Sequence, residues 1–231
     1  MFLRNRCTIS LDTSGELLNR RGYRLALAKA PLRETLAAGM LLASGWDRRS
    51  PLVDPFCGSG TIPIEAAMLA NQIAPGLRRA FAFEKWPIHD QAGWQALTAK
   101  AKDTELAAKV QILGLDRDAG AVGFSQQNAE RAGVASLVHF KHQAISDLPR
   151  LPGNGWVVTN PPYGERVSAG NDLRNLYARF GEVLRSNCRG WHFAILCSDE
   201  ALFRQTRLTA TNALALNNGG IAVKCYTGRI P

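Results

Sequence analysis

Short apolar runs and longer helical patterns take turns along this chain. Apolar residues cluster at 51–53, 110–115, 137–141, 156–159 and 191–196, and three of these runs lead straight into Asp54, Asp116 and Asn160. Runs this short read as strands. Between them, residues 61–73, 119–132 and 173–185 carry apolar positions three and four apart, the spacing of a helix face, and a shorter helical stretch covers 200–206. Alternating strands and helices predict an α/β fold with a doubly wound, mostly parallel sheet. The chain closes differently. Two β-type runs, 208–216 and 221–226, flank Asn217-Asn218-Gly219-Gly220, which predicts an antiparallel hairpin joining that sheet.

Upstream of the first run, Leu32, Leu36, Met40 and Ala43 recur at near-helical spacing, with Pro31 able to open a helix and Gly45 to cap it. Residues 6–12 alternate, with Cys7, Ile9 and Leu11 on one side, and read as a short strand ending in an Asp12–Gly15 turn. Arg20-Arg21-Gly22-Tyr23-Arg24 follows, readable as a nucleic-acid contact or as a hairpin edge kept soluble by arginine. An insertion runs from about 74 to 108. Its Phe81-Ala82-Phe83-Glu84-Lys85-Trp86-Pro87 interleaves aromatic and basic residues that could stack on bases, but a self-contained aromatic anchor explains it more simply. These divisions give a basic N-terminal segment, 1–30, and a main domain, 31–231, carrying the insertion.

Composition narrows the class. The 231 residues can bury one sizeable core. No apolar run approaches the ~18 residues of a membrane span, and the opening Met-Phe-Leu-Arg-Asn-Arg-Cys lacks the apolar core of a leader. Five scattered cysteines, with no Cys-x-x-Cys pair, point away from zinc and disulfides and toward a reducing cytoplasm. The net charge of +9 sits at the two ends: residues 1–50 hold nine Lys/Arg against four acids, 201–231 hold four against none, and the middle balances at fifteen each. Brought together, the ends would make a basic face suited to a phosphate backbone.

Two motifs carry candidate chemistry. In Asp54-Pro55-Phe56-Cys57-Gly58-Ser59-Gly60-Thr61 a strand ends in an acid, two glycines follow, and a helix begins. Glycines there let a ligand approach the backbone, and the helix N-terminus offers N–H groups to an anion. A dinucleotide fingerprint would need a third glycine where Pro63 stands. Asp116, ending the second strand, is placed to accept both hydroxyls of a ribose, with Asp118 as a competitor that could instead cap the next helix. The second motif is Asn160-Pro161-Pro162-Tyr163. The Asn160 carbonyl and the Pro161 backbone carbonyl can accept two hydrogens of one amine, and Tyr163 can stack on the base that carries it. Two acceptors on one amine aim its lone pair and stabilise the positive charge it gains on attack. A small charged nucleoside such as S-adenosylmethionine fits as electrophile, its ribose on Asp116 and its methionine end over Gly58 and Gly60. Cys57 reads as a small packed side chain rather than a nucleophile.

With these motifs the chain resembles the THUMP-associated RNA methyltransferase family. The matching residues are Leu11–Glu16, Arg21–Arg24, Ala30–Ala37, Asp54–Thr61, Phe81–Pro87 and Asn160-Pro161-Pro162-Tyr163-Gly164-Glu165-Arg166. The resemblance implies a class I, Rossmann-like S-adenosylmethionine-dependent methyltransferase fold with seven strands, the last antiparallel. It implies the cofactor held by Asp54, Gly58, Gly60 and Asp116, with Phe56, Cys57, Thr61, Arg117, Ala144 and Asn160 beside it. The target amine would be held at Asn160, Pro161, Pro162 and Tyr163. The implied reaction is methylation of guanine N2 in 23S ribosomal RNA. Alternatives are guanine N2 in tRNA, adenine N6 in DNA or RNA, and an inactive cofactor-binding module that binds RNA. Relatives carry an acid after the third strand that contacts the adenine. Here Lys141-His142-Gln143-Ala144-Ile145 has none, which leaves backbone near Ala144 or the Gln143 amide. Relatives also carry an upstream RNA-binding domain, whereas about fifty residues precede the glycine loop here, so the chain reads as an isolated catalytic domain or a truncated piece of a longer protein.

Overall fold

A computed structural model describes residues 2–3, 5–24, 32–163 and 173–231. Seven strands form one sheet: β1 (Leu52–Asp54), β2 (Ile112–Asp116), β3 (Val138–His142), β4 (Trp156–Thr159), β5 (His192–Cys197), β6 (Ala210–Asn218) and β7 (Ile221–Arg229). Their order is β3-β2-β1-β4-β5-β7-β6. The first five are parallel, and β7 runs antiparallel to both β5 and β6. The expected sheet and hairpin are therefore present, with the hairpin strands reaching Asn218 and Arg229. The order reverses at β1, which pairs with β2 on one side and β4 on the other. In open α/β sheets ligands bind at the carboxyl ends of strands at such a reversal.

The helices are α1 (Glu34–Ala43), α2 (Thr61–Ala70), α3 (Gln91–Asp103), α4 (Ala119–Ala132), α5 (Leu173–Asn187) and α6 (Glu200–Gln205). Among the described residues none is long and apolar enough to cross a membrane. Pro31 itself lies outside the described residues, but Leu32 and Arg33 are not helical, Arg33 being the extended N-cap, so the helix starts later than the apolar spacing predicts. α1 begins at Glu34, and Gly45 follows it with φ +68°. α2 packs between α1 and α4 and is buried nearly all round, including its one acid, Glu65. A carboxylate there needs partners. Arg21 Nε donates to it at 3.0 Å and the Tyr23 hydroxyl at 3.0 Å. Arg24 donates to Glu34 at 2.7 Å and to the Leu32 carbonyl at 2.6 Å. The basic segment 20–24 is thus neither a hairpin edge nor, at Arg21, an open nucleic-acid contact. Arg21 and Arg24 serve the acids of α2 and α1, while Arg20 stays exposed and pairs with Glu16.

The alternation at Cys7, Ile9 and Leu11 does not make the expected strand. Only Arg6–Cys7 pairs, with Phe2–Leu3, and Ile9 and Leu11 are 84% and 73% exposed. Asn5, at φ +59°, turns the chain between the two short pairing segments, and no neighbouring strand among the described residues covers the pleat. The insertion anchors itself, as the simpler alternative held. Phe81 and Phe83 meet the Trp94 ring edge-on at 5.7 and 5.0 Å, and Arg79 lies 4.8 Å over Phe81 while donating to the carbonyls of Ser14, Glu16 and Leu17. Asn71, capping the end of α2, accepts from Leu106 and Ala108 and closes the insertion back onto the domain. At the other end of the chain, Arg204 and Lys224 share Glu200.

α5 approaches the backbone after α6 so closely that a Cβ on Gly181 would lie 2.0 Å from the Thr206 carbonyl oxygen. In a free helix Gly→Ala gains about 1 kcal/mol. Here the obstacle is backbone, and overpacking of this kind costs about 3 kcal/mol. Gly181→Ala is therefore expected to lower the urea midpoint. Gly39→Ala in α1, where a Cβ meets nothing within 4 Å, is expected to raise it.

Candidate active site

β1, β2 and β4 end side by side, so Asp54, Asp116 and Asn160 emerge along one edge although far apart in sequence. Asp54 is 1% exposed. Its Oδ1 accepts from the Thr159 hydroxyl at 2.6 Å and from the Phe56 N–H at 3.1 Å. The bond to Thr159 ties the end of β1 to the residue before Asn160. Burial pushes the Asp54 carboxyl up to about 7, the nearby Asp116 charge adding to the rise while Thr159 and Phe56 oppose it.

The glycine loop is held from two sides. Cys57 N–H donates to the Leu115 carbonyl of β2 at 2.8 Å, and Gly58 N–H to Asp116 Oδ2 at 2.9 Å. From α4, Ser125 Oγ donates to the Gly58 carbonyl at 2.7 Å and Asn128 Nδ2 to the Ser59 carbonyl at 3.0 Å. Gly58 and Gly60 have φ of +55° and +82°. These left-handed values favour glycine. A Cβ on Gly60 would press on Phe140 and Ser125 at 3.0 Å, whereas one on Gly58 would meet nothing within 4 Å, so there is room beside the Gly58 Cα even though its N–H and carbonyl are bonded to Asp116 and Ser125.

The remaining expected contacts divide. Asp118 accepts from Gly120 and Ala121 N–H and caps α4, which leaves Asp116 as the acid at the strand end. Asp116 accepts one bond on each oxygen, from Gly58 and Asp118 N–H, and a carboxylate has about four such sites, enough for two ribose hydroxyls as well. The Gln143 amide donates one of its two N–H groups to the Asp147 carbonyl. Ala144 is extended, and its carbonyl accepts from Asp147 N–H, so its own N–H is the group it can offer. Phe56 packs edge-on against Phe180 at 5.2 Å. Thr61 is buried and accepts from Arg24. Arg117 is exposed, and its carbonyl faces the His142 ring. Cys57 is buried, and burial next to Asp54 and Asp116 pushes its thiol well up, so it is packed and uncharged.

In the second motif, Asn160 Oδ1 is buried and has no hydrogen-bond partner among the described residues. A buried acceptor left unpaired costs about 1–3 kcal/mol, which a ligand donor would recover. The Pro162 carbonyl is engaged by the Tyr177 hydroxyl at 3.3 Å. No described group donates to the Pro161 carbonyl. Tyr163 is 5% exposed, and its hydroxyl accepts from Asn218 Nδ2 at 2.9 Å. Gly164, Glu165 and Arg166 lie outside the described residues. Sequence reasoning missed Ser125, Asn128, Thr159, Tyr177 and Asn218. Ser125 and Asn128 carried one legible signal: polar residues three apart on the otherwise apolar face of α4.

The strand order, the glycine turn and the acids at neighbouring strand ends define a class I methyltransferase fold. The chain belongs to the UPF0020 family of RMKL-like methyltransferase domains, which matches residues 21–226. It is 42% identical over 228 residues to the ribosomal RNA large subunit methyltransferase K/L of Shewanella sp. (strain W3-18-1), covering 95% of this chain and 32% of that protein. Among solved structures, SMU.472 complexed with SAH is 36% identical with a TM-score of 0.87, covering 94% of this chain and 56% of that one. A predicted N6-adenine-specific DNA methylase from Listeria monocytogenes is also 36% identical, with a TM-score of 0.84, covering 95% and 57%. The chain spans about a third of the length of the curated relatives it matches.

Asp54 yields a pH test. Its folded pKa of about 7 lies above the ordinary 3.8, so between those values the folded state holds the proton more often than the unfolded state. Its contribution to stability is complete below pH ~4, falls as pH rises to about 7, and is flat beyond, a loss on the order of 4 kcal/mol. Urea unfolding from pH 4.5 to 8 is expected to show this falling contribution as the difference between wild type and Asp54→Asn. Parallel pH profiles for the two proteins would contradict it.

Proposed function

We propose that this domain transfers a methyl group from S-adenosylmethionine to the exocyclic N2 of guanine in large-subunit ribosomal RNA, working in the cytoplasm. The observation that carries the proposal is the buried, unpartnered Asn160 Oδ1, one residue from the Thr159–Asp54 bond that joins it to the glycine loop. The methyltransferase unit would be residues 31–231, with residues 1–30 leading into it.

The residues present fit the cofactor. Asp116 has acceptor capacity for a ribose, Gly58 leaves space beside its Cα, and the buried Asp54 carboxyl supplies negative charge beside a cationic ligand, which would favour its ionised form. Phe56, Cys57, Gly60, Thr61, Arg117 and Ala144 would complete the binding surface, Thr61 through its backbone since its side chain is packed, and Cys57 by packing under the loop, since its N–H and carbonyl are taken by Leu115 and Gly60. When bound, S-adenosylmethionine supplies an electrophilic methyl group on a sulfonium.

Asn160 Oδ1 and the Pro161 carbonyl would accept the two hydrogens of the target amine, directing its lone pair at that methyl. As the nitrogen becomes cationic, both acceptors stabilise it. The proton leaves after transfer, so no strong base is required. The base has to enter unpaired, since an exocyclic amine within a duplex cannot reach a buried acceptor. Names of the relatives favour ribosomal RNA. Adenine N6, named for the Listeria neighbour, is a second amine that the same two acceptors would hold.

Asn160→Ala is expected to lower kcat on undermodified ribosomal RNA by at least ~10²-fold, the loss typical of removing one preorganised transition-state contact. Calorimetric affinity for S-adenosylmethionine is expected to stay within a few-fold. Methyl transfer surviving at the wild-type rate would remove Asn160 from the proposed role. Asp116→Ala should do the reverse, weakening cofactor affinity by ~10–100-fold, as the loss of charged hydrogen bonds would.

A further inference from the structure

Tyr163 lies 5% exposed at the end of the catalytic loop, yet its hydroxyl is held from the opposite end of the chain. The donor is Asn218, itself 4% exposed, at 2.9 Å. Asn218 is the last residue of β6, at the turn that leads into β7, and its backbone is fixed by pairing with Ile221. Because β7 runs antiparallel to the parallel strands, that turn comes back to the carboxyl edge where the loop emerges. Gly219 and Gly220, at φ +62° and +92°, make the tight reversal that leaves Asn218 facing inward.

Building on the proposed reaction, we propose that Asn218 is a positioning residue for methyl transfer. It fixes the Tyr163 ring, and through it the rotation of the target base relative to Asn160 Oδ1 and the Pro161 carbonyl. The loop is then held at three points in succession: Thr159 by Asp54 of β1, the Pro162 carbonyl by Tyr177 of α5, and Tyr163 by Asn218 of the hairpin. The first two fix the backbone and leave the tyrosine side chain to turn about its own bonds. The third restrains that side chain. Two acceptors define the amine's position but leave the base plane to be set by whatever it packs against, and small errors in orientation cost large factors in rate. The C-terminal hairpin is therefore part of the active site and not only the closing edge of the sheet.

The test is a double-mutant cycle of Asn218→Ala and Tyr163→Phe on the full chain, with kcat, KM for RNA, cofactor affinity and thermal midpoint measured for each. Each single variant is expected to lose about 10-fold in kcat, with KM for RNA and cofactor affinity within two-fold. The double variant is expected to lose no more than the worse single one, because both remove the same bond. Tyr163→Phe leaves the turn untouched, so it reads the same bond even where Asn218→Ala unfolds the hairpin. Multiplying losses, or a Tyr163→Phe variant with wild-type kcat, would overturn the inference while leaving an active wild type. A wild type without activity on RNA would instead overturn the proposed reaction.

Discussion

A buried carboxylate needs partners, and at Asp54 the partner found across the sheet decides where the chemistry sits. At 1% exposure Asp54 cannot turn to water, so it takes the Thr159 hydroxyl from the adjacent strand. That bond holds the ends of β1 and β4 together at the point where the strand order reverses. One strand leads into the glycine loop and the other into Asn-Pro-Pro-Tyr. A ligand over the first and an amine at the second are then neighbours by construction. The rise of the Asp54 pKa to about 7 is the electrostatic cost of this arrangement, and a cationic ligand is what would offset it.

Around that bond the structure spends its polar groups on preorganisation. Ser125 and Asn128 hold loop carbonyls from below, Gly58 N–H rests on Asp116, and Tyr177 and Asn218 hold the second loop from α5 and the hairpin. Glu65 draws Arg21 and Tyr23 onto α2, so residues ahead of α1 brace the helix that the glycine loop opens. Against this background of satisfied groups, Asn160 Oδ1 is the exception among the described residues next to the glycine loop. Buried polar groups are normally paired, and the open one at this strand end is the acceptor that the proposed amine would fill.

Local backbone chemistry was legible in the sequence. The strand-glycine-helix turn, the acid ending β2 and the Asn-Pro-Pro-Tyr loop could be read because each is fixed by residues adjacent in the chain. The alternating pattern and the Asn/Gly turn were enough for the sheet and its closing hairpin. Contacts between distant segments were not legible. Nothing near Arg21 announces Glu65, and nothing near Asn218 announces Tyr163. The alternation at Cys7, Ile9 and Leu11 misled because a period of two says which side residues share, not whether anything covers that side. Part of the charge excess is answered locally: Arg21, Arg24 and Lys224 meet acids that the fold places near them, and Arg204 meets Glu200 one turn away on α6.

The most direct measurement follows the methyl group itself. Undermodified large-subunit ribosomal RNA incubated with the chain and S-adenosylmethionine labelled on its methyl group would be digested to nucleosides and resolved by mass spectrometry. The account predicts label on N2-methylguanosine. Label on a ribose oxygen or a ring carbon would contradict the two-acceptor site outright, and label on N6-methyladenosine would keep the site while overturning the guanine assignment.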